Sequence, residues 1–351
     1  MHIALSRIIG RAMAVTLLTA GMSVPGTHIG NAEALLVPTD GYGFSVGGPM
    51  TWMSDVDADR ELDAAARAGA TWIRVLISWD RVEPMPGAFD WGYVDHWING
   101  TRARGMKVLG VIAYTPDWAR LPGSDFTAPP ADPAVFASFA STVAQRYGDR
   151  VSNWEIWNEP NVPYFFGYLE DRAAPYTELL KAAYPAIKSV QPHSTVVVAG
   201  MSRADGPDAP PVFINEMYAL GAKGSFDALA MHPYVTPTGL PADELNGWSD
   251  VERVRQIMVD NGDADKKIWM TEFGAPTSEP SAGGVSQEEQ AKQITDVLAK
   301  AATSGFSGPA FIYSIRDENT AIRDNDYYNW GALLTSDWQP KFTSNVLRKR
   351  S

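Results

Sequence analysis

Two short apolar runs in this sequence each end in a glutamate. The first reads Trp-Glu-Ile-Trp-Asn-Glu over 154–159 and is stopped by a proline, and the second reads Ile-Trp-Met-Thr-Glu over 268–272. Hydrolysis of a glycosidic bond needs two carboxyl groups, one as an acid and the other as a nucleophile or base. Glu159 and Glu272 therefore predict this chemistry, provided that the fold brings the two side chains together.

The elements that must position these glutamates alternate along the chain. Apolar runs that predict strands cover 42–46, 72–77, 107–113, 151–157, 195–199, 226–231, 266–270 and 309–313. Helical periodicity covers 57–68, 93–104, 133–147, 175–190, 211–220, 242–261 and 287–303. Most of the strands are apolar throughout, which is typical of strands buried on both faces. Because right-handed crossovers return the chain in one direction, this alternation predicts a closed parallel (β/α)8 barrel.

The two glutamates end the fourth and seventh predicted strands, which places them across the mouth of the barrel from each other. All the strand carboxyl ends open on one face of such a barrel. The long connections at 114–132, 160–174 and 315–330 lie on that same face. Long loops there, and shorter ones at the other end, indicate that this face carries the functional site. Solvated surface carboxylates are the alternative, which the tryptophans beside both glutamates disfavour.

The first 34 residues predict an export signal rather than part of the fold. Arg7 and Arg11 precede an apolar run over 12–22 that is too short to span a bilayer, and Ala-Glu-Ala at 32–34 is a cleavage site. An uncleaved membrane anchor is the alternative interpretation. We expect cleavage after this site, a single catalytic domain over 35–351, and a secreted protein that is extracellular or associated with the cell wall.

Composition narrows the range of partners. The chain has 41 acidic and 29 basic residues and a net charge of −12, which disfavours nucleic acid and anionic membranes as partners. It contains no cysteine, which excludes disulfides, thiol catalysis and thiolate metal sites. His96, His193 and His232 are not paired at ligand spacing, so neither a metal nor another cofactor is expected. We expect a monomer.

The motifs around the two glutamates resemble those of clan A glycoside hydrolases. The resemblance is closest to family 39, especially its bacterial exopolysaccharide-degrading members, with family 5 next. Trp-Asn-Glu-Pro closes the fourth strand at 157–160, and Thr-Glu-Phe-Gly closes the seventh at 271–274. Further matches occur in the expected order at 72–75, 79–84, 86–91, 231–234 and 330–333. Each motif alone is weak, but together they cover almost the whole chain that follows the predicted signal.

The resemblance implies a retaining double displacement. Glu159 would be the general acid/base and Glu272 the nucleophile, with their carboxyl groups ~5 Å apart. Glu272 must be ionised to attack, and Arg74 and Tyr234 lie where the family keeps groups that stabilise that charge. Glu159 must carry a proton, which its burial beside Trp157 and the negative charge of Glu272 favour.

Two further polar residues are implied to bind the substrate. Asn158 would hydrogen-bond the 2-hydroxyl of the sugar, and His232 would line the same subsite. For His232 the alternative is a core histidine whose ring nitrogens are satisfied within the protein. For Arg74 the alternative is a buried ion pair with Glu155, which is compatible with a role in the site.

Aromatic residues on the long loops and strand ends are candidate platforms for sugar rings: Tyr114, Trp118, Tyr164, Phe165, Tyr313 and Trp330. Each of them has packing as its alternative role. The eighth strand departs from the common clan pattern because Tyr313 stands where a tryptophan often forms the floor of the reactive subsite. Arg316 adds a cation near the mouth, which suits an acidic or acylated sugar.

Together these features predict a secreted retaining hydrolase of O-glycosyl compounds that acts on a β-linked polysaccharide. The long loops favour a groove, and therefore cleavage inside the chain. The alternatives are an exo-acting glycosidase of β-xylosidase type, a barrel that binds polysaccharide without cutting it, and transglycosylation. A nucleophile elbow is disfavoured at 43–47, because no helix follows that strand directly.

Overall fold

The computed structural model describes residues 35–348. Within them, eight parallel strands pair in chain order and close into a barrel. Closure brings Phe44 of the first strand beside Ile312 of the eighth. The strands are β1 Tyr42–Ser45, β2 Trp72–Ser78, β3 Lys107–Ala113, β4 Asn153–Ile156, β5 Thr195–Met201, β6 Ala228–Met231, β7 Ile268–Phe273 and β8 Ser307–Tyr313. The predicted (β/α)8 barrel is confirmed.

Helices connect the strands. In chain order they are α1 Asp55–Arg67, α2 Trp79–Val82, α3 Gly92–Ala103, α4 Pro133–Tyr147, α5 Pro163–Phe166, α6 Ala173–Val190, α7 Pro210–Ala219, α8 Gly247–Asp260, α9 Gln287–Thr303 and α10 Phe342–Arg348. Every predicted helix is present, and the short helices α2, α5 and α10 are additional. Side-chain caps begin several of them: Ser54 accepts from the Asp57 amide, and Ser286 accepts from the Glu289 amide.

The bounds of most elements differ from prediction by a few residues, and three of these differences have local reasons. Helix α8 was predicted from residue 242 but begins at Gly247, because the Asp243 carboxylate accepts from the amides of Trp248 and Ser249 and caps the helix there. Strand β4 ends before Trp157, whose φ of 78° leaves the strand geometry. Strand β7 continues past the predicted end, so Glu272 lies within it.

The barrel interior has two tiers. Side chains two positions apart on a strand share a face, so Trp72, Trp269 and Phe311 lie one step below Arg74, Thr271 and Tyr313, respectively. The lower tier is an apolar cluster of buried strand residues: Trp72, Leu109, Val197, Ala228, Ala230, Trp269 and Phe311. Its rings meet edge to face, with centroids 5.6 Å apart for Trp72 and Trp269. The upper tier is polar and opens towards the carboxyl ends of the strands.

The predicted export signal lies outside the described residues. Among the helices within residues 35–348, none combines the length and the apolar character needed to cross a bilayer. The sequence contains no cysteine, so burial and hydrogen bonding stabilise the described barrel without disulfides.

The lower tier predicts a large stability cost for a lost ring. Phe311 is 0 % exposed, so Phe311→Ala leaves a cavity and should lower the free energy of unfolding by about 3 to 5 kcal/mol. Urea-induced unfolding measures this change. Val212→Ala, on the exposed face of α7, is the control and should change stability by no more than about 0.5 kcal/mol. Similar effects of the two substitutions would contradict the assignment of the lower tier.

Candidate active site

Arg74 is the centre of the polar tier. Its guanidinium donates from Nε to Glu155 (2.7 Å), from Nη2 to Asn158 (2.8 Å) and from Nη1 to Glu272 (2.5 Å). Burial alone acts to lower the pKa of Arg74, but the charges of Glu155 and Glu272 outweigh it and the net shift is upward. Both sequence interpretations of Arg74 therefore hold together, because the same side chain pairs with Glu155 and contacts the candidate nucleophile.

Glu272 accepts hydrogen bonds through both of its carboxyl oxygens. Its Oε1 accepts from Arg74 and from the Ser45 hydroxyl (3.2 Å), and its Oε2 accepts from the Tyr234 hydroxyl (2.8 Å). Burial, together with the negative charges of Glu272 and Glu159, raises the pKa of Tyr234 well above its usual value. Tyr234 therefore stays protonated and keeps donating to Glu272. Charged and neutral donors of this kind favour the ionised form of a carboxyl group.

Glu159 follows the end of β4 at a sharp change of backbone direction. Its φ is 45°, and its amide donates to the Gly200 carbonyl on β5 at 3.1 Å. The side chain is buried, and its Oε1 lies 2.7 Å from Nδ1 of His232. Nδ1 of His232 also lies 3.8 Å from Oε2 of Glu272, but its hydrogen bond goes to Glu159 whereas that of Arg74 goes to Glu272, so the two carboxyl groups have different hydrogen-bond partners.

A chain of hydrogen bonds fixes where the His232 proton lies. Glu155 accepts from Arg74 through both oxygens, so it is an ionised acceptor and the Thr271 hydroxyl must donate to it (3.0 Å). Thr271 can then only accept from Nε2 of His232, at 3.1 Å. In neutral His232 the Nδ1 atom is left as an acceptor, and a proton on Glu159 completes the bond. The network thus favours one proton shared between Nδ1 and Glu159.

The spacing of the two carboxyl groups suits a direct displacement. One ligand atom each of Glu159, His232 and Glu272 lie within 4.8 Å of one another. Carboxyl groups about 5 to 5.5 Å apart are typical of retaining enzymes, whereas inverting enzymes need a wider gap for water. Such a cluster can also hold a metal ion, but the Arg74 guanidinium lies 2.5 Å from Glu272 and would repel the cation. The side chains therefore favour proton transfer and nucleophilic attack.

The catalytic cavity opens between these groups and has a volume of about 100 Å³. Its lining residues include both glutamates and five of the other predicted residues: Arg74, Tyr114, Asn158, Glu159, Phe165, Glu272 and Tyr313. Asn158 accepts from Arg74 through Oδ1, and no protein atom in the described residues accepts from its Nδ2. The Asn158 amide group is therefore free to donate to a bound hydroxyl.

The predicted aromatic platforms have different environments. Tyr313 lines the catalytic cavity, and Trp330 packs edge to face against it (6.0 Å) and against Tyr234 (5.3 Å). Tyr114 also lines the cavity, and burial, followed by the charge of Glu159, raises its pKa. Trp118 instead donates to the Glu83 carbonyl (2.9 Å) and packs on Trp79, with centroids 5.5 Å apart. Its contacts are those of a packing residue.

Arg316 does not present a free charge at the mouth. Its Nε donates to Glu61 at 2.8 Å, and its guanidinium lies 4.3 Å from the ring centroid of Trp338. The side chain therefore joins the β8 connection to α1, and an acidic sugar gains little from it.

Sequence reasoning missed three residues of the site. Ser45 bridges Arg74 and Glu272, and Thr271 orients His232. Gly200 makes room for His232, because a Cβ atom there would lie 2.0 Å from Nε2 of that ring. The alternation that places Trp269 inside the barrel was a usable signal for Thr271, two positions along β7.

This fold and pair of carboxylates define the class of clan A glycoside hydrolases. Residues 37–307 match the family model described as cellulase, glycosyl hydrolase family 5, and the chain belongs to that family. A family 39 glycoside hydrolase from the gut symbiont Bacteroides cellulosilyticus WH2 is 25% identical, with a TM-score of 0.69 over 90% of this chain and 63% of that one. The resemblance to families 39 and 5 is confirmed.

Other similar proteins share the fold or a shorter segment. A family 39 enzyme from Xanthomonas axonopodis pv. citri has a TM-score of 0.65 and 20% identity, over 93% of this chain and 71% of that one. The galactolipid galactosyltransferase SFR2 of Arabidopsis thaliana is 31% identical over 119 residues, 30% of this chain and 18% of that protein. The chain thus spans less than two thirds of the length of the Bacteroides enzyme and about a fifth of the plant enzyme.

The hydrogen-bond chain predicts a specific effect of Thr271→Val. This change removes the acceptor that holds the His232 proton on Nε2, so Nδ1 becomes able to donate to ionised Glu159. The alkaline limb of the kcat/KM profile on an aryl glycoside with a poor leaving group, whose cleavage needs the proton of Glu159, should then move to lower pH by about one unit, equivalent to a net hydrogen bond of about 1 kcal/mol.

The matched control for this test is Thr271→Ser, which keeps the hydroxyl and should keep the pH profile of the unsubstituted protein. A uniform loss of kcat/KM at every pH in Thr271→Val, with no movement of the limb, would show that Thr271 is only structural.

Proposed function

We propose that this protein is a retaining β-glycosidase that cleaves O-glycosidic bonds inside a β-linked, uncharged polysaccharide. The observation that carries the proposal is a pair of carboxyl groups with oxygens within 4.8 Å of each other, one accepting hydrogen bonds from Arg74 and Tyr234 and the other lying 2.7 Å from Nδ1 of His232. This difference in partners assigns the two roles. Glu272 is the nucleophile and Glu159 is the general acid/base.

In the first step, the two glutamates act on opposite sides of the scissile bond. Glu159 gives its proton to the glycosidic oxygen while Oε2 of Glu272 attacks the anomeric carbon, so the C–O bond to the leaving sugar breaks and an ester to Glu272 forms. Oε2 is the attacking atom because it accepts one hydrogen bond, from Tyr234, whereas Oε1 accepts two, from Arg74 and Ser45.

In the second step, water resolves the ester. Ester formation removes the negative charge of Glu272, which favours ionised Glu159 as the base. Glu159 takes a proton from water, the hydroxide oxygen bonds to the anomeric carbon, and Glu272 leaves as a carboxylate. Two inversions give net retention. Nδ1 of His232 lies 2.7 Å from Oε1 of Glu159 and holds that side chain in place while Glu159 carries a proton.

The surroundings of the catalytic cavity support cleavage within a chain. A groove of about 480 Å³ adjoins it and shares Gly48, Leu76, Tyr114, Phe165 and Tyr313 with it. The groove also exposes Trp52 and Tyr164, each 66 % accessible, as rings on which sugars can stack. A large open space beside the reactive sugar accommodates a continuing polymer. An exo-acting glycosidase is the alternative and would release single sugars only.

The test uses a panel of neutral β-glucans, xylan and mannan together with aryl β-glycosides. We expect mixed oligosaccharides to appear early from one polymer and the first-formed product, followed by NMR, to be the β-anomer. Glu272→Gln should abolish turnover with the fold intact, because the amide lacks the nucleophilic charge. Early release of monosaccharide alone would favour the exo-acting alternative, and an α-anomer or an active Glu272→Gln would refute the mechanism.

The same panel separates the roles of the two glutamates. Glu159→Ala removes the proton donor, so it should slow hydrolysis of polymers by about 10²- to 10⁴-fold. Aryl glycosides with good leaving groups need little protonation, and their first step should be affected far less. An equal loss on both kinds of substrate would contradict the acid/base role of Glu159.

We also propose that the protein is exported after removal of residues 1–34, from the arginines, apolar run and small-residue site of its N-terminal segment. N-terminal sequencing of the protein recovered outside expressing cells should begin at Leu35. Retention in the cells of a chain that begins at Met1 would contradict export.

A further inference from the structure

We propose that a second cleft, beside the groove that adjoins the catalytic cavity, binds sugars of the same uncharged polysaccharide chain away from the cleavage point. We call it the rim cleft, and its lining residues are Gly123, Ser124, Asp125, Phe126, Thr127, Ala128, Tyr164, Gly167, Tyr168 and Leu169. It has a volume of about 470 Å³. The inference rests on the proposed function and extends the substrate beyond the reactive sugar.

The rim cleft is continuous with the substrate path. The 480 Å³ groove shares Tyr114 and Tyr313 with the catalytic cavity, and it shares Phe126, Thr127 and Tyr164 with the rim cleft. The three spaces therefore follow one another along the loops after β3 and β4. The rim cleft adjoins the groove at Phe126, Thr127 and Tyr164, so it is the next space for a chain that leaves the reactive subsite through the groove.

The rings of the rim cleft are unusually exposed. Tyr168 is 86 % accessible, Tyr164 66 % and Phe126 43 %, and they lie close together at one edge of the barrel mouth. Contiguous exposed apolar surface on a soluble protein marks a binding site. Planar rings of this kind match the apolar faces of sugars whose hydroxyls are equatorial, which are the sugars of many β-linked polymers.

The walls of the rim cleft are fixed by contacts in the protein. Gly167 has a φ of 79°, and a Cβ there would lie 3.5 Å from Ala128, so the two loops approach closely. Phe166 is fully buried, and Nε1 of Trp157 donates to the Phe165 carbonyl at 2.7 Å. Tyr168 thus projects from an anchored turn, and binding orders little additional chain.

Charge selects the kind of polymer. Asp125 lines the rim cleft, and exposed Glu170 and Asp171 follow Tyr168 and Leu169 in the chain. None of the described residues that line the cleft is basic. An anionic polysaccharide would be repelled by these carboxylates, whereas an uncharged one is not.

Affinity electrophoresis in gels that contain polymer tests the rim cleft without cleavage. Each variant is made on the Glu272→Gln background. The neutral polymers are hydroxyethyl cellulose, xylan and glucomannan, and carboxymethyl cellulose is the anionic counterpart of hydroxyethyl cellulose. We expect a neutral polymer to retard the Glu272→Gln protein, and Tyr168→Ala to weaken that retardation about fivefold, equivalent to about 1 kcal/mol. Carboxymethyl cellulose should retard the protein less than hydroxyethyl cellulose.

Two controls isolate the ring of Tyr168. Tyr168→Phe keeps the ring and should bind as the parent does, and Phe342→Ala removes a 42 % exposed ring outside the cleft and should also change nothing. In the active protein, Tyr168→Ala should raise the KM for the polymer about fivefold and leave kcat/KM on an aryl glycoside unchanged.

The outcomes separate the two proposals. Retardation that Tyr168→Ala does not weaken, stronger binding of the anionic polymer, or no retardation by any of the polymers overturns the rim cleft, even if the active protein hydrolyses aryl glycosides. Retardation that depends on Tyr168, together with no hydrolysis of any substrate by the protein with Glu272, refutes the proposed function and leaves a polysaccharide-binding surface.

Discussion

A buried guanidinium between two carboxylates is the interaction on which the upper half of the barrel depends. Removing a charge from water costs several kcal/mol, and that cost is offset here because Arg74 donates to both Glu155 and Glu272. Glu155 then accepts from Thr271, and Thr271 accepts from His232. Glu272 and Glu159, the proposed nucleophile and acid, therefore lie at the two ends of one hydrogen-bond network. The packing of the barrel and the protonation of its site depend on the same side chain.

The barrel and the two glutamates were predictable because each leaves a local signal in the sequence. Continuous apolar runs of strand length indicate buried parallel strands, and a glutamate that ends such a run is conspicuous. Ser45 leaves no comparable signal, and alternation along β7 indicates only that Thr271 faces the barrel interior, because the roles of both residues depend on contacts between distant strands and therefore on barrel register. Trp118 shows the converse. A tryptophan on a long loop has the sequence signature of a sugar platform, but its indole is used in packing.

The molecule divides its tasks between strands and loops. The strands and the residues that directly follow them carry the titratable groups of the site, which need fixed distances and a dry interior, and the apolar tier beneath them provides both. The loops after β3 and β4 carry the exposed rings, which need only a flat face in roughly the right place. This division explains why barrels with similar strand motifs can differ in the polymers that they accept, since loop residues change without disturbing the tiers.

Gly200 shows how an absent side chain constrains the evolution of a site. Any Cβ at this position would lie 2.0 Å from Nε2 of His232 and 2.5 Å from the Thr271 hydroxyl. Even alanine would have to displace the ring of His232, which contacts Glu159, the proposed acid, so we expect the position to tolerate no other residue. In a library of random variants, residue 200 should stay glycine among active clones although it touches no substrate. Glycine at residue 200 would then be retained because of the position of the His232 proton, and not because of stability or polymer binding.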